Sequence, residues 1–403
     1  MSHPTTQLIH HPYTPPEGFA APQPPVYKAS TVIFPSVAAL RSRDWMHKTG
    51  YTYGLHGTPG TFMLEERLCT LEGGLQCVLA PSGLAAIANV NLALLQAGGE
   101  VLLPDNAYGP NKSMAVGELK AYGVSHQLYD AMNPADLAAK LSDKTRLVWL
   151  EAPGSVTLEF PDLIALLRLC KARGVTTALD NTWGAGLAFK PFAFDEGDGV
   201  DISVHALTKY PSGGGDVLMG SCITRSDALH QQLKLTHMRL GLGVGANDVE
   251  TVLRSLSTLA LRYEAHDAAT RQLVLWCAQQ SEFSQVLHPA WTPSPGHVHW
   301  QQVCGSAGKA AGLLSVVVHE RYSSAQVDAF CEALQWFKLG YSWGGPISLV
   351  VPYALATMRP RWPAAIQRGT LVRFSVGLEA ADDLQADLAQ ALGVFHVENG
   401  RHI

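Results

Sequence analysis

From about residue 62 onward, short apolar runs alternate with helical stretches, and each run ends on a polar or turn residue. CVLAPSG, EVLLPD, RLVWLEAP, TTALDN and DISVHALT are strand-like. FMLEERLCTLEGG, LAAIANVNLALLQAGG, PADLAAKLSD and DLIALLRLCKARG have helical composition and spacing, and FMLEERLCTLEGG stops at glycine as helices do. Strands separated by helices must be joined by crossovers, so the pattern predicts a mainly parallel, doubly wound α/β sheet. A long stretch over 247–280 reads as one continuous helix leading into a second unit. Beyond it LLSVVVHE, KLGYSWGG, ISLVVPY and TLVRFSVGLE read as strands. SAQVDAFCEALQWF and ADDLQADLAQAL read as helices, giving a smaller α+β domain.

The 403 residues leave room for more than one domain, and 47% hydrophobic against 16% charged residues argues for an ordered globular chain. A net charge of -5 supplies no basic footprint for nucleic acid and no polybasic patch for a membrane surface. No apolar run reaches the roughly 20 residues that cross a bilayer, and the N-terminus lacks a secretion-type apolar stretch. Seven cysteines without a CxxC pair read as buried free thiols, which fits a cytoplasmic location. The first 25 residues carry Pro12, Pro15, Pro16, Pro22, Pro24 and Pro25, which predicts an extended arm without regular helix or central strand. His297 and His299 in HVHW alternate as on one strand face, but no third ligand accompanies them and no metal site is expected.

Ligands of doubly wound sheets sit beyond the carboxyl ends of the strands. Ser82 and Gly83 follow CVLAP and open a helix, where free N–H groups and the helix dipole suit a phosphate. Asp180 ends TTALD, and Lys209 follows DISVHALT 29 residues later. A Ser-Gly turn, a strand-end Asp or a Lys before Tyr is each ordinary alone. Their order at successive strand ends is what pyridoxal 5′-phosphate (PLP) chemistry requires: an amine for a Schiff base, a carboxylate for the ring nitrogen and a phosphate turn.

The runs YGLHGTP, LEGG, PSGLAA, LDNTW, TKY and YSWGG, in this order, resemble the Cys/Met-metabolism PLP-dependent enzyme family. EAPGSVTLE, DNTWGAG and GYSWGG resemble its bacterial cystathionine β-lyase branch. The similarity runs from about residue 25 to 392. It implies the fold type I (aspartate aminotransferase-like) architecture of PLP-dependent transferases, with a mainly parallel seven-stranded sheet and a smaller α+β C-terminal domain. The expected division is an arm over 1–57 that serves a neighbouring subunit, a PLP-binding domain over 58–250 and a C-terminal domain over 251–403.

By the same resemblance, Lys209 would carry PLP as a Schiff base and move the substrate Cα proton, Asp180 would pair with the pyridine nitrogen, and Tyr108 would stack on the ring and help activate the incoming amine. Ser82, Gly83, Leu84 and Thr208 would hold the phosphate, and Tyr53 would reach it from the neighbouring subunit. Ser342, Trp343 and Arg373 would receive the substrate carboxylate, for which the planar arginine fork is suited. The implied reaction is α,β-elimination of L-cystathionine to homocysteine, pyruvate and ammonia by a homotetramer of active dimers, a step toward methionine. The alternatives are a γ-lyase or γ-synthase acting on a related sulfur amino acid and, more remotely, a non-catalytic PLP-binding regulator. Four positions depart from the family pattern: Leu55 replaces an arginine, Ala206 a serine, and Gly214 and Gly215 a His-Ser pair.

Overall fold

A computed structural model describes residues 4–396 apart from 11, 12, 14, 15, 19 and 195–198. His11, Pro12 and Pro15 of the arm, and the last seven residues of the expected C-terminal domain, lie outside the described residues. Seven strands form the first sheet: β1 (Gln76–Ala80), β2 (Glu100–Pro104), β3 (Ser125–Tyr129), β4 (Thr145–Glu151), β5 (Thr176–Asp180), β6 (Ile202–Ala206) and β7 (Gly220–Thr224). Their spatial order is β1-β7-β6-β5-β4-β2-β3. β7 runs antiparallel to both of its neighbours, and the other pairings are parallel.

The central strands read as near-continuous apolar runs because both faces of the sheet are covered there, whereas the edge strand β3, SHQLY, keeps exposed positions. Val78, Val101, Leu103, Leu147 and Trp149 pack into a core on one face. Their neighbours Leu79, Leu102, Val148 and Leu150 pack into a separate core on the other. The strand alternation therefore feeds two layers of helices. Helix Pro59–Glu72 is tied to the sheet by its last residue. The fully buried Glu72 carboxylate accepts from His205 Nδ1 at 2.7 Å and Asn181 Nδ2 at 3.2 Å, and also from the Ser203 hydroxyl.

A second sheet has the order β10-β11-β12-β9-β8, built from β8 (Phe283–Leu287), β9 (Leu313–His319), β10 (Lys338–Leu339), β11 (Leu349–Tyr353) and β12 (Gly369–Ser375). It is antiparallel except for the β10–β11 pair. Leu314, Val316 and Val318 pack against Leu273 and Val274 of helix Leu259–Cys277. On the opposite face, Val317 and Leu371 meet Val156 from the loop after β4. That contact joins the second sheet to the edge of the first.

Three local expectations change. The 247–280 stretch is two helices, Ala246–Leu256 and Leu259–Cys277. At the break, Thr258 Oγ1 and Arg262 Nη2 both donate to the Ser255 carbonyl, and Ser255 Oγ donates to Ser212 O at 2.7 Å, so side chains take over backbone partners. HVHW opens a helix, His297–Cys304, rather than a strand; His297 Nδ1 bonds the Pro289 carbonyl, and residues two apart on a helix point in different directions. In the arm, Pro4–Ile9 forms one short exposed helix, because Pro4 sits at its start, where a missing N–H costs nothing. All seven cysteines are buried and unpaired. Among the described residues, no helix is long and apolar enough to cross a membrane.

Because Glu72 is the shared acceptor for Ser203 and His205 of β6 and for Asn181 just after β5, Glu72→Ala should lower unfolding free energy by about 3–5 kcal/mol, the usual cost of orphaning the partners of a buried polar pair. Urea unfolding measures it, and a loss below about 1 kcal/mol would show that the carboxylate does not fasten this helix to β6.

Candidate active site

Five strand ends meet at one edge of the first sheet, each followed by a residue facing the same cavity of about 600 Å³. After β1 comes the Ser82 turn. Ser82 Oγ accepts from Ala85 N at 3.0 Å and caps helix Gly83–Leu94, leaving the Gly83 and Leu84 N–H groups at the open helix start. A Cβ on Gly83 would lie 2.6 Å from Ala206 Cβ, so only glycine lets this turn sit against the end of β6. After β2, Tyr108 precedes helix Gly109–Met114 and its N–H donates to Glu151 Oε2 at 2.7 Å.

β4 ends at Glu151 and β5 at Asp180, and these two are register partners in adjacent parallel strands. Asp180 Oδ1 accepts from Thr182 N at 3.1 Å and Thr182 Oγ1 at 2.5 Å. Enclosure raises both carboxyls above the usual range, and in Glu151 the charge of Asp180 adds to the rise. The Thr182 hydrogen bonds and the nearby His205 and Lys209 oppose the rise in Asp180, as the Tyr108 N–H, Ser155 and Lys112 oppose it in Glu151. Tyr108 is also pushed up, first by burial and then by these two carboxylates, so it remains a neutral phenol.

Lys209 follows β6. Its Nζ donates to Ser342 Oγ at 2.7 Å and stands 5.5 Å from the centre of the Trp343 ring. Burial, and then the charge of Arg373, pull the lysine down to about 8, with Asp180 opposing. Arg373 projects from β12 of the second sheet. Its Nη2 donates to the Ser342 carbonyl at 3.3 Å, and its guanidinium lies 5.4 Å from the Tyr353 ring centre. Arg373 Nε is buried without a hydrogen-bond partner, and among the described residues no carboxylate pairs with this arginine. A buried guanidinium in that condition has donor capacity left for an anion.

Ser342 holds an unusual backbone angle, φ 108°, between these two cations, and Gly344 follows at φ 80° with room for no Cβ beside Tyr210 N. Thr208 lines the cavity too, although its hydroxyl is engaged with the backbone of Met219.

Ser82, Gly83, Leu84, Tyr108, Asp180, Thr208, Lys209, Ser342, Trp343 and Arg373 thus share one cavity. Tyr53 does not join them in its own chain. It lines a separate cavity of about 540 Å³ with Leu55, His56, Lys234 and His237. The sequence reading passes over Glu151, Thr182 and Tyr353. Glu151 ends RLVWLE in the same manner as Asp180 ends TTALD, so strand-end logic alone was enough to mark it. Tyr353 carries no such signal, because only the pairing of β11 with β12 brings it to Arg373.

The donor set suits PLP: an open helix N-terminus for a phosphate, a hydrogen-bonded carboxylate for a ring nitrogen and a lysine for an aldehyde carbon. The chain matches the model of the family described as Cys/Met metabolism PLP-dependent enzyme over residues 5–393. It is 37% identical over 395 residues to a cystathionine β-lyase of Bordetella avium, covering 96% of each chain. It is 34% identical over 370 residues to the cystathionine β-lyase MetC of Escherichia coli K12, covering 90% of this chain and 91% of that one. A crystal structure of cystathionine γ-synthase from Xanthomonas oryzae superposes with a TM-score of 0.82 at 29% identity, covering 93% of both chains. The chain belongs to the Cys/Met metabolism PLP-dependent enzyme family.

Only a neutral amine adds to an aldehyde, so recombination of cofactor-stripped protein with PLP should accelerate with rising pH, with a midpoint near 8. Arg373→Met removes a charge that depresses Lys209 and should move the midpoint upward. Stopped-flow absorbance reads both. A rate still climbing about tenfold per unit through pH 9, as for an ordinary exposed lysine, would contradict the burial of Lys209.

Proposed function

We propose that this family member is a carbon–sulfur β-lyase that converts L-cystathionine and water to homocysteine, pyruvate and ammonia. The observation that carries the reading is the pairing of Lys209 and Arg373 across Ser342. An amine drawn toward neutrality and an unpaired guanidinium sit at opposite ends of one short hydrogen-bonded bridge. That spacing suits an α-amino acid whose carboxylate rests on Arg373 while its Cα–H faces Lys209. When bound, PLP supplies the electron sink that makes such a Cα proton removable.

Each residue then has a definite task. Asp180, hydrogen-bonded by Thr182, would pair with the ring nitrogen of bound PLP and favour its protonated form. The N–H groups of Gly83 and Leu84 at the helix start would hold the phosphate, with Ser82 and Thr208 beside them. Tyr108, a neutral phenol in the cavity lining, would pack on the ring of bound PLP and help activate the incoming amine. Lys209 takes the Cα proton, for which the neutral form is needed; with a value about 8, roughly a tenth of it is neutral at pH 7. Cleavage of the Cβ–S bond sends the electron pair to sulfur, which leaves as a thiolate and picks up a proton.

Tyr53 stands outside the cavity of its own chain, which supports its delivery to a second copy of the chain. A homotetramer of active dimers in the cytoplasm, working in methionine biosynthesis, completes the proposal. Leu55 stands where much of the family carries an arginine, and His56 beside it is drawn toward its neutral form by burial and then by Lys234 and Arg43.

The structural likeness to a cystathionine γ-synthase keeps γ-chemistry as the second reading. Purified holoenzyme incubated with L-cystathionine separates the two: pyruvate and homocysteine are expected. Cysteine with 2-oxobutyrate, and no pyruvate, would reject the β-lyase assignment.

A further inference from the structure

Tyr108 is braced by a polar cluster outside the cavity that none of the roles above uses. Its centre is Arg359, a buried arginine just after helix Leu355–Met358, and the preceding Met358 lines the cavity. Arg359 Nη2 donates to Asp105 Oδ1 at 2.7 Å and Oδ2 at 2.8 Å, its Nε to Oδ2 at 3.3 Å, and its Nη1 to Glu159 Oε2 at 2.5 Å. Asp105 directly follows β2 and stands three residues before Tyr108. Lys112, four residues after Tyr108, donates from Nζ to the carbonyls of Asp105 at 2.7 Å and Met358 at 3.0 Å. The turn carrying Tyr108 is therefore fastened on both sides to residues 358 and 359.

Glu159 extends the brace to the opposite wall. It closes the loop 151–159, which contributes Glu151, Gly154, Ser155 and Val156 to the cavity lining. Two residues of that loop, Val156 at φ 71° and Leu158 at φ 54°, occupy left-handed backbone that side chains disfavour, a branched valine most of all. Such a loop keeps its shape only where its surroundings impose it. Glu159 accepts from Thr157 Oγ1 at 2.7 Å within the loop and from Asn106 Nδ2 at 3.4 Å in the Tyr108 turn, besides Arg359.

We propose that Arg359 is a positioning residue: by binding Asp105 and Glu159 together from the second sheet's side, it fixes the Tyr108 ring and the 151–159 wall over the reacting atoms. A lysine cannot replace it, because a single ammonium lacks the fork that serves two carboxylates at once. The proposal rests on the role given to Tyr108 above.

The test compares wild-type, Arg359→Lys and Lys112→Met holoenzymes for the visible circular dichroism of the bound cofactor, for kcat and KM on L-cystathionine, and for melting temperature. Arg359→Lys should lower kcat by about tenfold to a hundredfold, move KM by less than about threefold and change the cofactor dichroism. Lys112→Met should shift dichroism and kcat the same way, by less. A variant that melts lower but keeps wild-type kcat and dichroism would overturn the proposal, leaving Arg359 a purely structural ion pair. If Arg359→Lys yields no folded holoenzyme, Lys112→Met alone decides. The dichroism is read without substrate, so a wild-type protein inactive on cystathionine would sink the functional reading while this comparison still stands.

Discussion

Parallel strands in one sheet deliver their carboxyl ends to one edge, and everything chemical in this chain depends on that. The ends of β1, β2, β4, β5 and β6 bring the Ser82 turn, Tyr108, Glu151, Asp180 and Lys209 to a common cavity from positions spread over more than a hundred residues. Each side chain is aimed by a backbone pinned in the sheet, so the site inherits the rigidity of the core beneath it. Only the antiparallel second sheet, which adds Arg373 and Tyr353, approaches from outside that frame.

The electrostatics follow from this crowding. Two carboxyls side by side at adjacent strand ends would repel if both were charged, and hydrogen bonds from Thr182 to Asp180 and from the Tyr108 N–H to Glu151 oppose that cost. Two cations, Lys209 and Arg373, share Ser342 and likewise cannot both be comfortable. The lysine yields, because a guanidinium hardly ever releases its proton. The cavity thereby holds one fixed cation, two enclosed carboxyls raised above their usual range and one amine near its titration point. A proton-transfer site needs such a mixture.

Much of this was legible in the sequence. The strand–helix alternation and the polar residues closing each apolar run marked β1, β5 and β6 and placed Ser82, Asp180 and Lys209 at their ends before any coordinates. The same rule extends to Glu151, which ends an identical pattern in RLVWLE and yet went unmarked. What stayed hidden depends on long-range contact. Arg359 lies in MRPRW, a stretch without periodicity, and its partners Asp105 and Glu159 are some two hundred residues away. Periodicity also misled at HVHW, where a two-residue alternation lies on a helix started by Gly296, and at 247–280, where side-chain competition around Ser255 breaks a helix that spacing alone runs through.

The central claim is that Lys209, and no other lysine, carries the cofactor at this edge. Borohydride reduction of the holoenzyme, followed by proteolysis and mass spectrometry, tests it directly by making the linkage permanent. The account predicts the pyridoxyl mass on the peptide containing Lys209. The same mass on another lysine, such as Lys112, with Lys209 unmodified, would contradict it.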